Sequence, residues 1–256
     1  MPWLDYSPVA VVQLGSLPIR LWGVFVALGI LVATAVAARR GERVGIPRDV
    51  MWNLSFWMNA AGFVGGRVLY VVEHWRDYIA QPLRIFAVWE GGMAIFGGLV
   101  AGTATVVLFA RRYRIPLRVL ADTAVPTLLL GDAIGRLGGA VSHMYTGIPT
   151  SFPLSYMLDG VQRHEVGIEL SLMSLLGFLL MLWLERFKLP LGALTLVWYA
   201  LERFLLDFLR STDLPNSDPR YAGLTMAQYF AIGGMVIAGF FLIRFWQRGQ
   251  LRGSRA

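Results

Sequence analysis

VLADTAVPTLLLGDAIGRLGGAV, residues 119–141, decides the fold. It is long enough to cross a bilayer, which needs about 20 predominantly apolar residues. Yet it carries Asp132 and Arg136 in its second half. An ionised side chain at the centre of a membrane helix costs at least ~2.5–3.5 kcal/mol on insertion scales, so such residues face a partner or a wet cavity. Asp132 and Arg136 are four apart and share one helix face. The stretch therefore reads as a helix inside a membrane bundle with a polar function at depth.

Outward from it, six further apolar runs of similar length occur: Leu21–Ala38, Val50–Val72, Met93–Ala110, Ile168–Leu184, Leu191–Leu209 and Leu224–Ile243. The second, fourth and sixth of the seven runs are the least pure, because each carries charge. The whole chain of 256 residues is 56% hydrophobic and 15% charged, with a mean hydropathy of +0.58. Soluble domains carry roughly 45–50% apolar and about 25% charged residues, so a soluble globular protein is excluded and disorder with it. The expected fold is an all-α integral membrane protein of about seven transmembrane helices. No repeat or low-complexity tract interrupts it, so residues 1–256 read as a single membrane domain.

Charge sets the expected orientation. The loops after the first, third, fifth and seventh runs hold 14 basic residues, among them Arg39, Arg40, Arg111, Arg112, Arg186, Lys188, Arg244 and Arg255. The alternate loops hold six: Arg20, Arg76, Arg84, Arg163, Arg210 and Arg220. The positive-inside rule then places the C-terminus in the cytoplasm and the N-terminus outside, which an odd number of spans satisfies. Met1–Ile19 lacks a basic n-region and the first apolar run is not followed by a convincing small-residue cleavage site, so that run reads as a retained helix. The arginines sit in short clusters between apolar segments, not on one continuous face, which excludes a nucleic-acid partner. With no cysteine, the chain has no disulfide, no thiolate metal site and no cysteine nucleophile. Any thiol in its chemistry arrives on a substrate. No metal or cofactor is implied.

Three arginines, Arg67, Arg136 and Arg203, fall inside spans, with Asp132, Glu202 and Asp207 also at depth and Glu169 at a span's edge. Arg203 and Asp207 repeat the spacing of Asp132 and Arg136. One reading is a pair of structural ion pairs that lock the bundle. The other is a polar cavity for an anion, since the guanidinium fork matches phosphate oxygens in pairs, and the commonest phosphate within a bilayer's reach is a phospholipid head group. Glycines cluster beside these arginines: Gly65–Gly66, Gly91–Gly92, Gly97–Gly98, and Gly131, Gly135, Gly138 and Gly139. Small residues let helices, or a ligand and a backbone, approach closely. The break at Glu90–Gly91–Gly92 marks a possible re-entrant segment.

Ordered motifs then point to a family. LPIRLWG (17–23), VWEGGMAIFGGLVAG (88–102), GRLG (135–138) closing at Gly147, YALERFLLDFLRSTD (199–213) and GLTMAQ (223–228) occur in one order along nearly the whole chain. Together they resemble the prolipoprotein diacylglyceryl transferases of bacterial inner membranes. The resemblance implies a multi-pass inner-membrane enzyme. It would move the diacylglyceryl group of phosphatidylglycerol onto the lipobox cysteine of a prolipoprotein, forming a thioether and releasing glycerol phosphate. Its partners would be phosphatidylglycerol, a lipobox-containing prolipoprotein and membrane lipid. By position, Arg136 and Arg203 look like the family's phosphate-binding arginines, Tyr199 and Gly147 match a family tyrosine and glycine, and Asp207 replaces a glutamate. Gly98 of the glycine-rich motif and the buried Arg67 are taken with them as substrate-binding residues.

The chain departs from the pattern where the family usually has tyrosine (Trp22), histidine (Phe96), asparagine (Gly139) and often glutamate (Met144). Transfer to a thiol needs the thiolate, and a thiol pKa near 8.5 leaves little of it at neutral pH. His143 lies in the signature segment, seven residues after Arg136 or about two helical turns on the same face. It is therefore the expected general base, with Tyr199 and Asp207 as the other expected catalytic residues. His164 reads as interfacial and His74 as solvated. A second reading keeps the fold and the lipid site in a family paralogue that binds phospholipid or transfers a different group, having lost the usual catalytic residues. A third, an anion transporter or channel, lacks the internal repeat that builds alternating access.

Overall fold

In a computed structural model of the chain, the described residues are 4, 6–15, 17–79, 81–215 and 217–253. Parts of the leader reading, Met1–Trp3, Asp5 and Ser16, lie outside them, as does Arg255 of the orientation count. An antiparallel hairpin, β1 (Val11–Leu14) with β2 (Leu17–Arg20), leads directly into α1 (Leu21–Arg43). Then follow α2 (Arg48–Glu73), the short α3 (Trp75–Ile79), α4 (Ile95–Arg112) and α5 (Leu117–Val141). Next come β3 (Thr146–Pro149), β4 (Ser155–Leu158) and β5 (Val161–Glu165), an antiparallel sheet with β5 in the middle. The chain continues through α6 (Val166–Leu184), α7 (Leu191–Leu206), the two-residue strands β6 (Arg220–Tyr221) and β7 (Leu224–Thr225), and α8 (Met226–Gly253).

The molecule is mostly helical, and each apolar run falls on one long helix. Four helices among the described residues, α1, α4, α6 and α8, are long and apolar enough to cross a membrane. α2, α5 and α7 are the charged runs, and α7 has only 16 residues before it tightens into a 3-10 turn at Asp207–Leu209. Helix ends follow backbone chemistry. After α1, Gly45 adopts a φ of 81°, and Ile46 N donates to Gly41 O at 2.9 Å, capping free carbonyls. After α4, Arg114 takes the left-handed conformation and Ile115 N donates to Ala110 O at 2.9 Å before Pro116.

The chain forms two compact units: residues 1–36 with 121–256, and residues 37–120. In the first unit α1 crosses α5 at Gly29 and Gly131, where a Cβ on Gly29 would stand 2.5 Å from Gly131 O. An apolar core forms where Leu129 of α5, Phe178 and Met181 of α6 and Leu191 of α7 meet. α8 lies along α7, with Gly234 over Leu196 and Ala200.

In the second unit α2 and α4 pack glycine on glycine. A Cβ on Gly98 would meet Gly62 O at 3.1 Å, and one on Gly65 would meet Gly97 O at 2.5 Å. Gly98, expected at the substrate, sits in this helix crossing. Arg67 also belongs to this unit. Its guanidinium has five N–H donors, and all five point at main-chain carbonyls: Nε to Ile85, Nη1 to Gly91 (2.5 Å) and Gly92 (3.0 Å), Nη2 to Arg84 (2.7 Å) and Ala87 (3.3 Å). Left-handed Gly91 and Gly92, with φ of 85° and 81°, turn these carbonyls inward. In this arrangement Arg67 has no N–H left for a substrate anion. It organises the break at Glu90–Gly92 as the cation around which the loop folds.

The crossing gives a direct test of packing. Gly97→Ala would press a methyl onto Gly65 O and, at 2.7 Å, onto Leu69 Cβ, so it should destabilise by about 1–3 kcal/mol, the range for overpacking. Gly233→Ala in α8 meets nothing within 4 Å and should be neutral or stabilise by up to about 1 kcal/mol through helix propensity. Thermal unfolding of the two variants in detergent reads the difference, and equal midpoints would refute the close crossing.

Candidate active site

The charged half of α5 builds the site. Asp132 and Arg136 are one turn apart, and Arg136 Nε donates to both Asp132 oxygens, at 3.2 and 3.3 Å. The close passage at Gly29 and Gly131 brings the face of α1 that carries Trp22, Val26 and Ile30 opposite the face of α5 that carries Leu128, Asp132 and Arg136. Between them lies a cavity of about 370 Å³, closed on one side by Tyr145. Its lining side chains are apolar apart from Asp132, Arg136, the Tyr145 hydroxyl and the Trp22 indole N–H. With Nε occupied by Asp132, the Nη groups of Arg136 are the cationic donors of this lining.

Tyr145 was not anticipated from the sequence. Its ring stacks under two guanidinium groups, 5.1 Å from Arg136 Cζ and 5.7 Å from Arg210 Cζ, an arrangement in which cations gain from the ring's negative face. Arg210 also pairs with Asp218. Gly139 makes room for that ring, because a Cβ there would collide with Tyr145.

Behind Asp132 lies a polar chain with Ser174 and Glu202 buried at its centre. Ser174 Oγ of α6 is 2.8 Å from Asp132 Oδ2 and 2.7 Å from Glu202 Oε1 of α7. Trp198 Nε1 donates to Glu202 Oε2 at 3.1 Å and to Met173 O at 3.0 Å. Gly177 lets the Trp198 indole lie against α6.

The late motif forms the other charged corner. Arg203 Nη2 lies 3.4 Å from Asp207 Oδ1, and Arg203 Nη1 is buried with no hydrogen-bond partner. Asp207 is fully buried; the Thr225 hydroxyl donates to its Oδ2, and Arg220 Nη2 donates to its main-chain oxygen at 3.2 Å. It can therefore act only through Arg203, as a positioning residue. Tyr199, one turn before Arg203, is 36% exposed and within electrostatic reach of Asp132, Arg136, Glu202 and Arg203. It links the two corners.

The sheet after α5 ties the signature segment to the late motif. Gly147 bridges Arg210, and a Cβ there would meet His164 Cβ at 2.5 Å and Leu209 O at 2.7 Å, so only glycine fits. Arg163 donates to Gly147 O and holds both carboxylate oxygens of Asp213, at 3.0 and 2.6 Å. Gly147 thus acts through close backbone contact. His164 Nδ1 lies 2.6 Å from Glu169 Oε1.

His143 is placed differently from the expectation. α5 ends at Val141, and His143 stands in the following turn with a φ of 48°, so the helix-phase argument that put it on Arg136's face does not hold. Main-chain bonds to Gly139 O from Ser142 N (3.2 Å) and Met144 N (2.9 Å) make that turn. His143 is not among the residues that line the cavity. Its ring packs against Tyr6 (4.7 Å) and Tyr156 (3.9 Å), and its Nε2, buried without a hydrogen-bond partner, lies 3.8 Å from Glu165 Oε2. Burial lowers the His143 pKa below the ordinary histidine value and pushes Glu165, fully enclosed, up to about 8. Tyr6 O–H reaches Ala140 O at 2.8 Å and lies 3.1 Å from Glu165 Oε2, and its own pKa is raised by the same burial. This cluster favours neutral partners at neutral pH.

Comparison with known proteins then assigns the architecture. Residues 8–244 match the sequence model of the family described as "Prolipoprotein diacylglyceryl transferase". A Bacillus cereus protein named "Phosphatidylglycerol--prolipoprotein diacylglyceryl transferase" is 33% identical over 98% of this chain and 95% of its own length. Proteins of the same name from Bacillus thuringiensis and Bacillus cytotoxicus are 33% and 32% identical over the same shares. The chain belongs to the prolipoprotein diacylglyceryl transferase family, and it is a transferase of the membrane.

Proposed function

We propose that this chain transfers the diacylglyceryl group of phosphatidylglycerol to the lipobox cysteine thiol of a prolipoprotein at the outer half of a bacterial inner membrane. The observation that carries the reading is Arg136. It is a guanidinium at membrane depth with one edge held by Asp132 and the other turned to an otherwise apolar cavity. That is the chemistry of a phosphate joined to acyl chains. Arg203, with a buried N–H lacking a partner, supplies the second phosphate donor, and Tyr199 lies between them. In the reaction the thiol sulfur bonds to the glyceryl carbon that carries the phosphate ester. The carbon–oxygen bond breaks, and glycerol phosphate leaves with its charge held by the arginines. The thiol proton goes to a base. His143 is the proposed acceptor, supported by its low pKa and unengaged Nε2. The thiol then has to arrive from the Tyr6 and Tyr156 side. A second reading, lipid binding without transfer, is favoured by one observation: the cavity wall contains no histidine.

The proposed topology is seven spans with the N-terminus outside and the C-terminus in the cytoplasm, supported by the seven long helices and the basic loops. A C-terminal reporter should fold in the cytoplasm, while fusions after Tyr78 or Thr150 should be exported. A cytoplasmic Thr150 fusion would exclude this topology.

For the anchors, Arg136→Ala or Arg203→Ala should weaken phosphatidylglycerol binding by the worth of a charge-assisted hydrogen bond, ~1.5–3 kcal/mol. Lysine should restore it only in part, because it lacks the fork. Parental binding by both alanine variants, measured in nanodiscs, would make the arginines structural partners of the acids.

For the base, His143→Ala should slow transfer to a lipobox peptide by roughly 10²-fold or more while lipid binding changes little. Because burial lowers the His143 pKa below the ordinary histidine value, the base form is favoured at neutral pH. The histidine limb of the pH profile should then rise below pH 6.5 and be absent from the variant. Unchanged transfer by His143→Ala would remove the histidine from the mechanism, and a parent that binds lipid without transfer would establish the second reading.

A further inference from the structure

The Ser174 hydroxyl stands between two carboxyl groups and has one hydrogen to give. Its oxygen is fully buried, 2.8 Å from Asp132 Oδ2 and 2.7 Å from Glu202 Oε1. An ionised carboxylate only accepts hydrogen bonds. If both acids were ionised, one of the two contacts would set lone pairs against each other in a site without water's screening, which is costly.

We propose that Glu202 carries a proton and, acting through Ser174 and Asp132, positions Arg136 and sets the charge that an anionic lipid head group meets. A proton on Glu202 Oε1 turns the contacts into one directed chain. Trp198 Nε1–H donates to Glu202 Oε2, Glu202 Oε1–H donates to Ser174 Oγ, and Ser174 Oγ–H donates to Asp132 Oδ2. Asp132 is left ionised to hold Arg136 Nε. The proton belongs on Glu202 because its bonded neighbours, Ser174 and Trp198, are neutral and it is 2% exposed. Asp132 has a cation on both oxygens and borders the cavity.

The consequence is electrostatic. With Glu202 neutral, Asp132 and Arg136 balance, and the Nη groups of Arg136 face the cavity without a second buried anion behind them. Ionising Glu202 would leave two carboxylates around one guanidinium and repel a phosphate. The groups that face Glu202 are Asp132 and Arg136 of α5, Ser174 of α6, and Trp198 and Tyr199 of its own helix. On α8, Tyr229 is engaged elsewhere, donating to Tyr221 O. Glu202 touches no substrate in this scheme and is a positioning residue.

The inference rests on the lipid reading of Arg136, so the test separates the two. The full-length protein in phosphatidylcholine nanodiscs is titrated with labelled phosphatidylglycerol across the pH range, as parent, Glu202→Gln, Glu202→Leu and Arg136→Ala. Gln reproduces the chain, with its amide donating to Ser174 and its carbonyl accepting from Trp198. It should therefore hold the parent's low-pH affinity at every pH. The parent should lose roughly tenfold as Glu202 ionises, the scale of one uncompensated charge at an effective dielectric of about 20. Leu, which leaves Ser174 without its donor, should bind weakly throughout. Other titrating groups are common to the parent and Glu202→Gln, so their difference isolates this acid. Independently, the parent spectrum should hold one protonated-carboxyl infrared band that Glu202→Gln lacks, the band of Glu165 being common to both. Without that band in the parent, or with Glu202→Gln about tenfold weaker at neutral pH, the acid is ionised and the proposal falls. Parental binding by Arg136→Ala would overturn the lipid reading alone, since the infrared result stands apart from it.

Discussion

A charge placed inside an apolar helix must be answered, and the way each guanidinium is answered organises this molecule. Arg136 is held along one edge by Asp132. That single contact demands a partner behind Asp132, which is Ser174, and a second acid behind Ser174, which is Glu202. The polar chain reaches from α5 through α6 to α7, and the apolar core of Leu129, Phe178, Met181 and Leu191 closes beside it. Bundle packing and site electrostatics are therefore one structure: the helices cannot move apart without leaving a buried acid unpaired.

Arg67 shows the opposite solution with the same side chain. All five of its donors end on backbone carbonyls from Arg84 to Gly92, made available by two left-handed glycines. A guanidinium so enclosed is a fastening for a loop. Both arginines look alike in sequence, each inside an apolar run with glycines beside it. The difference lies in carbonyls 17 to 25 residues away along the chain, which no local pattern reveals.

Much of the fold was legible because its signals are long. Each apolar run marks a helix, and the three runs that carry charge are the three helices that do not qualify as spans by length and composition. The two i,i+4 pairs also formed as the spacing required. What escaped was short. Strands of four or five residues, such as Thr-Gly-Ile-Pro at 146–149, carry a glycine and a proline and no alternation long enough to read. The end of α5 at Val141 is set by main-chain bonds back to Gly139 O, and that shift of two residues moves His143 off the helix and into an aromatic cluster. Glu202 was visible as a charge at depth, but its partners lie 28 residues away on α6 and four away at Trp198, and only the first of these gives the chain its direction.

The departures from the family pattern read differently once they are placed. Gly139, where an asparagine is usual in the family, is the position whose missing side chain admits the Tyr145 ring, and that ring stands under both Arg136 and Arg210. Trp22, where a tyrosine is usual, is a wall of the cavity that Arg136 faces. Trp22 and Gly139 therefore both fall beside Arg136, whereas Phe96 belongs to α4 of the other unit. At Gly139 the space a side chain would fill is taken by an aromatic ring, which gives the guanidinium a cation–π contact of about 0.5–2 kcal/mol. The direction in which the Arg136 guanidinium is held comes from Asp132 and the polar chain behind it, not from the residues at 22 and 139.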